Sequence, residues 1–574
     1  CGGRISFVDL MWLAVILAHI GAASAAALPL VDVPGLGSLR GTFLFEETPP
    51  TVWTKVSAFL GIPYAKAPIG DLRWRPPQAH GAWASPRDAT NFGNACWQPS
   101  VEYREDEANQ DEDCLFLNVY TPTDALAGAE KRRLPTMVWI HGGAYTTGAS
   151  NVYGGSGILL SSNFSVVVVT INYRLNVFGF LGSKHLRHRS QDASIGNYGI
   201  QDQRLALNWV RASIGAFGGD ANDITIFGES AGGDAVLNHL TQPASFHLYQ
   251  KAIVQSGTYQ GTFTVEAAEG NYAAIMERTN CTDLTCLLET PALRLREIMN
   301  STSTLGWGRW GPVVDGVALF DSPESLIKRG RYNNLVPIIV GSNSDESAFN
   351  FLLRENRRRI PANLDWLGLV KDLAVTVGTE HVKEVLEIYD PSRYSYPSNL
   401  GNFSLEWWMA MRVVTDKVPG LGPCAVRRLA RHLVAGGTPN VFVYMFEHPT
   451  QAHLSIPGTG PGSVLVPHAS EIEYVFGNTF HLKGPEGDLA LAMSTRWSAF
   501  AVTGKPDSGE WLHYSDDDTL LSFQTRGEGG ILLKAHVRRA ACDFWDRVGQ
   551  PFFSNAQLQR WIAREPGNAS SILI

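Results

Sequence analysis

The sequence predicts an α/β fold: a large, mostly parallel, twisted sheet with helices on both faces. Two apolar runs and the segment after them carry this expectation. Residues 136–140 (Thr-Met-Val-Trp-Ile) and 166–171 (Val-Val-Val-Val-Thr-Ile) are short and almost uninterruptedly apolar, as strands are when a parallel sheet buries them on both faces. Residues 203–214 then place Leu207, Val210 and Ile214 on one helical stripe, and the run 224–227 (Ile-Thr-Ile-Phe) returns to the sheet. Strand, helix, strand in this order is the pattern of a doubly wound sheet.

The run at 224–227 leads into Gly228, Glu229, Ser230, Ala231 and Gly232, and residues 234–240 read as a helix. A serine between glycines at a strand-to-helix turn is pushed out on a strained backbone instead of being buried in the sheet. Ser230 is therefore the candidate nucleophile. At a helix N-terminus, peptide dipoles and free N–H groups favour the negative charge that acyl transfer develops on a substrate oxygen. With glycine at 56 of 574 positions, a Gly-x-Ser-x-Gly pattern is not specific by itself. Supporting machinery has to be present. The run 136–140 ends in His141, Gly142, Gly143 and Ala144, and glycines after a strand let backbone N–H groups converge with no side chain in the way. Gly142 and Gly143, with the N–H of Ala231, form the candidate oxyanion hole.

In such a sheet the acid and the histidine follow the nucleophile along the chain. Residues 336–341 read as a strand ending in a polar loop with Asp345 and Glu346, two carboxylates where an orienting acid belongs. Among 15 histidines, His468 stands out because it follows the Gly/Pro-rich loop 457–467, which can bend back over the sheet edge; His448 and His453 compete with it. His185 and His188 have a His-x-x-His spacing but read as a polar loop pair instead of a metal site.

A net charge of −8 with no extended basic stripe argues against nucleic acid as a partner. The basic cluster at 354–359 reads as a solvated helix face. Composition does not shift along the chain, so a single catalytic domain over residues 28–566 with a short tail at 567–574 is expected. Residues 1–27 read as a secretory signal peptide, removed on maturation: Arg4, an apolar core at 10–20 too short to span a bilayer, then small residues. No later segment of membrane length follows, so a secreted protein without stable membrane insertion is expected. Apart from Cys1 the cysteines are Cys96, Cys114, Cys281, Cys286, Cys424 and Cys542, and an even number in a secreted chain reads as disulfides. Sequons at Asn163, Asn280, Asn300, Asn402 and Asn568 accord with a glycoprotein.

Several blocks together are similar to the type B carboxylesterase and cholinesterase family of α/β hydrolases. They are residues 59–65 (Phe-Leu-Gly-Ile-Pro-Tyr-Ala), 112–120 (Glu-Asp-Cys-Leu-Phe-Leu-Asn-Val-Tyr), 172–174 (Asn-Tyr-Arg), 202–207, 216–220 and 227–233. After these come His468 followed by 471–477 (Glu-Ile-Glu-Tyr-Val-Phe-Gly), and 542–545 (Cys-Asp-Phe-Trp). The resemblance implies the α/β-hydrolase fold with long helical insertions, and a Ser230, Glu346, His468 triad in which the second carboxylate of the pair is the acid. It also implies the disulfides Cys96–Cys114, Cys281–Cys286 and Cys424–Cys542. Ser347 stands where many relatives have glycine, and Ser256 is either a hydrogen-bond partner behind the triad or a plain strand-end serine. The mechanism implied is acyl transfer through Ser230 with no metal or cofactor.

The substrate expected is a small-molecule or lipid ester, with Glu229, Tyr103, Trp307, Trp310 and Phe349 as pocket candidates. Cholinesterases stack a quaternary ammonium on a tryptophan ahead of the second cysteine of the first disulfide loop. Here that region holds Tyr103 and Arg104, and the only tryptophan of the loop is Trp97, directly after Cys96. An arginine repels a cationic headgroup. Glycines at 306, 308 and 311 stand near positions that narrow the cholinesterase acyl pocket, which implies room for a larger acyl group. A broad-range carboxylesterase is the leading expectation, with a lipase as the alternative and a non-catalytic adhesion relative of the fold behind both.

Overall fold

The computed structural model describes residues 28–45, 55–84, 86–99, 109–126, 133–258, 262–300, 309–352, 360–417, 420–454, 456–479, 481–515 and 517–549. The expected signal peptide, Tyr103, Arg104, Trp307, the basic cluster at 354–359, the Asn568 sequon and the tail at 567–574 lie outside them.

An 11-stranded sheet organises the described residues. Its strands in chain order are β1 (Thr42–Phe45), β2 (Lys55–Pro63), β3 (Phe116–Pro122), β4 (Leu134–Ile140), β5 (Val167–Ile171), β6 (Gly219–Glu229), β7 (Lys251–Gln255), β8 (Ile338–Asn343), β9 (Val441–Phe446), β10 (Leu520–Phe523) and β11 (Leu532–Lys534). Across the sheet they run β11-β10-β9-β8-β7-β6-β4-β5-β3-β2-β1. Every pair from β10 to β5 is parallel, and antiparallel strands close both edges. Long helical crossovers account for the parallel centre, since parallel neighbours cannot be joined by a tight turn.

Alternation along each strand sends neighbouring side chains to opposite faces. Val138, Ile140, Val167, Val169, Ile224, Ile226, Ala252 and Val254 join one buried cluster, with α1 (Tyr198–Ser213), α2 (Ala231–Thr241) and α4 (Pro423–Ala435) packed over it. Met137, Trp139, Val168, Phe227 and Ile253 join a second, covered by α5 (Pro485–Thr503) through Met493, Trp497 and Phe500. Both faces are dry, which is why these strands read as continuous apolar runs. Leu207, Val210 and Ile214, the stripe read from the sequence, are all fully buried on the first face.

A third cluster sits in the helical insertions. It is formed by α3 (Leu405–Lys417), α6 (Arg539–Val548) and the short helices at Trp366–Val377 and Val382–Ile388, through Trp407, Trp408, Leu373, Val385, Phe544 and Trp545. A buried polar network joins this cluster to the sheet. Arg538 donates to Asp416 Oδ1 at 2.6 Å and to the Ser344 carbonyl at 2.8 Å, while Tyr389 and Tyr394 donate to Asp416 Oδ2 at 3.0 and 2.8 Å. Burial raises the Asp416 pKa to about 7 against the pull of the Tyr394 and Tyr389 hydroxyls and the Arg412 charge. Among the described residues no helix is long and apolar enough to cross a membrane.

All three disulfides pair as the resemblance implies: Cys96–Cys114, Cys281–Cys286 and Cys424–Cys542. Cys424–Cys542 ties the start of α4 to α6 across 118 residues, so it restricts the unfolded chain far more than the 5-residue Cys281–Cys286 loop does. Replacing Cys424 and Cys542 together by alanine is expected to cost about 4 kcal/mol, against a smaller loss for the Cys281/Cys286 pair. Denaturant unfolding of the two variants checks the order.

Candidate active site

Parallel pairing aligns the strand ends that carry the chemistry. Glu229 pairs with Gln255, Gln255 with Gly341, and Gly341 with Tyr444. One row therefore crosses β6, β7, β8 and β9, and the residues just beyond it meet at a single edge.

Ser230 follows β6 and stands at the N-cap of α2 with φ 58° and ψ −126°. A non-glycine residue there stores about 1–3 kcal/mol of strain. The turn is held by the Ser230 N–H on the Gln255 carbonyl at 2.8 Å and by the Asp234 N–H on the Ser230 carbonyl at 2.9 Å. Only glycine fits at 232, where a Cβ would come within 2.0 Å of the Ile140 carbonyl oxygen. Ala231 is the first residue of α2, so its N–H has no acceptor within the helix. Gly142, just past β4, lies against the same turn: a Cβ on it would sit 3.0 Å from Ser230 Cβ. Gly143 accepts from the N–H groups of Thr146 and Thr147, both at 2.9 Å, which folds this loop back on itself.

The candidate acid and base are joined directly. His468 Nδ1 lies 2.6 Å from Glu346 Oε2. A carboxylate only accepts, so Nδ1 carries the proton and donates it. The other Glu346 oxygen accepts from Ser256 Oγ and from the Asn343 N–H, both at 2.6 Å. Ser256 is thus a partner behind the acid, the first of the two readings its position allowed. Asp345, the competing carboxylate, faces elsewhere. It pairs with Arg412 at 2.8 Å and accepts from the Val466 N–H at 3.0 Å, bracing the segment that leads to His468. His448, one competing base, is buried between Glu528 at 2.6 Å and Glu486 at 2.9 Å. His453 is exposed. His185 and His188 lie on a short helix, Lys184–Arg189, with His185 stacked on Tyr272.

Two pocket candidates reach the base. The Phe349 ring meets His468 edge-on at 6.1 Å between centroids. Glu229 Oε1 lies 3.1 Å from His468 Nε2, the nitrogen that would face Ser230. Trp310 is buried in the first core cluster. Ser347 donates its N–H to Thr415 Oγ1 at 3.2 Å.

Sequence reasoning did not single out Glu471, Gln255 or Asn343 for this site. Glu471 is fully buried and accepts from Asn343 Nδ2 at 2.7 Å, Tyr444 at 3.3 Å and Gln255 Nε2 at 3.4 Å. Burial and the nearby Glu346 raise its pKa. Burial opposes a charged imidazole at His468, but Glu229, Glu346 and Glu471 outweigh it and raise the His468 pKa to about 10.

The raised His468 pKa fixes a sign. The imidazolium's ion pairs contribute stability that is fully present below the unperturbed 6.5 and is lost as pH rises through about 10. A general base must be unprotonated, so kcat/KM is expected to rise with pH toward the alkaline side, and Glu229→Gln to move that rise to lower pH. A pH–rate profile with unchanged midpoint in the variant would contradict this. The two neighbouring carboxylates should separate cleanly. Glu346→Gln is expected to lower kcat by about 10³–10⁴, far beyond what its loss of folded protein accounts for. Asp345→Asn leaves the Arg412 charge buried without its partner and is expected to cost about 3 kcal/mol of stability, read by thermal unfolding alongside kcat.

The chain matches the carboxylesterase family over residues 27–545. It is 30% identical to a medium-chain fatty acyl-CoA hydrolase precursor of Anas platyrhynchos, with 96% of this chain and 98% of that protein aligned. It is 31% identical to carboxylesterase 5A of Canis lupus familiaris, over 93% of this chain and 92% of the other. An acetylcholinesterase of Leptinotarsa decemlineata aligns at 28% identity over 90% of this chain and 86% of its own length. The chain belongs to the carboxylesterase family of α/β hydrolases and is a carboxylic ester hydrolase.

Proposed function

We propose that this protein is a secreted, broad-range serine carboxylesterase whose catalytic domain spans residues 28–566. The observation that carries the reading is the 2.6 Å His468–Glu346 hydrogen bond at the edge where Ser230 projects from its strained turn. In the first half-reaction His468 Nε2 takes the Ser230 hydroxyl proton as Oγ attacks the ester carbonyl, and Glu346 holds the tautomer and steadies the imidazolium. The N–H groups of Gly142, Gly143 and Ala231 receive the oxyanion, each donor worth about 3 kcal/mol at the transition state. His468 then returns the proton to the departing alkoxide. Water repeats the sequence on the acyl-serine and releases the acid.

Three disulfides support an oxidising destination. The relatives' names, a medium-chain fatty acyl-CoA hydrolase and acetylcholinesterases, bracket a range of acyl sizes. Arg104 in the Cys96–Cys114 loop and the glycines at 306 and 308 favour an uncharged alcohol group and a roomier acyl pocket than a choline esterase has.

p-Nitrophenyl esters of graded acyl length, run beside acetylcholine, test the reading. An uncharged short-chain ester is expected to be hydrolysed with a higher kcat/KM than acetylcholine, and Ser230→Ala to lower turnover by several orders of magnitude with the fold intact. A preference for acetylcholine would overturn the substrate assignment. A rate that climbs above the ester's solubility limit would make the protein a lipase.

A further inference from the structure

The loop that would supply the oxyanion donors is gripped from outside by one side chain that belongs to neither the triad nor the oxyanion loop. Gln98, buried two residues after Cys96, accepts the Gly148 N–H on Oε1 at 2.8 Å and donates Nε2 to the Gly148 carbonyl at 3.1 Å. Nε2 also donates to the Cys96 carbonyl at 3.1 Å. The amide orientation follows from these partners, because the flipped form would set its oxygen against two carbonyls.

Gly148 itself lies beneath the start of the loop. With φ at +112°, it packs so closely that a Cβ would come within 2.5 Å of the Gly142 carbonyl oxygen and 2.4 Å of His141 Nδ1. Between these ends the chain is a closed turn, with Thr146 and Thr147 both donating to Gly143. Gln98 is in turn fixed from its own side: its N–H donates to Gln110 Oε1 at 3.1 Å, its carbonyl accepts from Arg296 Nε at 3.0 Å, and Cys96 is bonded to Cys114. A rigid path therefore runs from the first disulfide through one amide to the backbone that touches Gly142.

We infer that Gln98 is a positioning residue for the oxyanion hole, coupling the Cys96–Cys114 loop to the Gly142–Gly143 donors through its two-point grip on Gly148. This rests on the assignment of those donors under the proposed function. Oxyanion donors act through geometry fixed in advance of the reaction, so a loop free to drift loses transition-state stabilisation while ground-state binding is little changed. The amide is suited to the role because it carries a donor and an acceptor side by side, matching the N–H and C=O of one residue.

Gln98→Met keeps length and packing but removes both hydrogen bonds to Gly148 and the one to the Cys96 carbonyl. Its kcat on p-nitrophenyl acetate is expected to fall about 10- to 100-fold, less than the loss of a whole donor, with KM within about twofold. Its affinity for a trifluoromethyl ketone, which forms a tetrahedral adduct, is expected to fall by the same factor as kcat/KM. Gln98→Glu supplies a second readout. Protonated, the carboxyl restores donor and acceptor; ionised, it sets charge against two carbonyls. The ratio of its kcat to that of the unaltered enzyme is expected to fall as pH rises, with the His468 limb cancelling in the ratio. Unchanged kcat in Gln98→Met, or a loss that only tracks the folded fraction, overturns the inference. Should Gln98→Met not fold, a pH-independent ratio for Gln98→Glu overturns it. Ser230→Ala, assayed in parallel, keeps the two claims apart: activity surviving there would refute the nucleophile and leave the proposed function, not the Gln98 grip, at fault.

Discussion

The arrangement depends on one constraint, the shared direction of the central strands. Because β4, β6, β7, β8 and β9 all run the same way and pair in register, their C-terminal ends lie side by side. The candidate oxyanion loop leaves β4, Ser230 leaves β6, Ser256 follows β7, Glu346 follows β8, and the segment that ends at His468 leaves β9. Residues spread over more than half the chain are thereby delivered to one edge, as is usual for open α/β sheets. The dry packing on both faces of these strands holds the edge in place, since sliding one strand would break its ladder and expose both of its apolar faces.

Electrostatics at that edge is dominated by carboxylates. Glu229, Glu346 and Glu471 surround one imidazole. Each has its own anchor or role: Glu346 is held by Ser256 and Asn343, Glu471 by Asn343, Tyr444 and Gln255, while Glu229 approaches the nitrogen that would serve the serine. Asn343 touches both Glu346 and Glu471, so the orienting acid and the buried carboxylate behind it are parts of one network. Such an arrangement favours the positively charged imidazole that the proposed mechanism forms as Ser230 gives up its proton, and it raises the cost of neutralising that imidazole beforehand. Under the proposed mechanism, the field that stabilises the transition state also sets the pH at which His468 becomes available as base.

Anchors farther out hold the loops. Arg412 pins Asp345 next to the acid, and Arg538, at the head of the helix that carries Cys542, holds the Ser344 carbonyl. Tyr145, in the loop after β4, donates to Asp234 of α2 at 2.7 Å. These are buried polar contacts in which removal of one partner strands the other, so each couples packing far from the serine to the geometry beside it.

Local signals were legible in the sequence: the elbow around Ser230, the glycines after 141, the apolar runs 136–140 and 166–171, and the helix at 203–214. These depend on residues adjacent in the chain, where sterics and periodicity act directly. Strand and helix ends differ by a few residues, as for β8, expected from 336 and found from 338, because terminal residues answer to neighbours in space. Resemblance to a family supplied the disulfide pairing and preferred Glu346, but spacing by itself could not choose between Asp345 and Glu346 or among His448, His453 and His468. In the fold, consecutive residues after the strand point apart, so Asp345 turns to Arg412 and Glu346 to His468. Tertiary structure alone brought Glu471, Gln98 and the Asn343 side chain to their places and decided between the two readings of Ser256, because each of these side chains meets a partner distant in sequence that no local pattern marks.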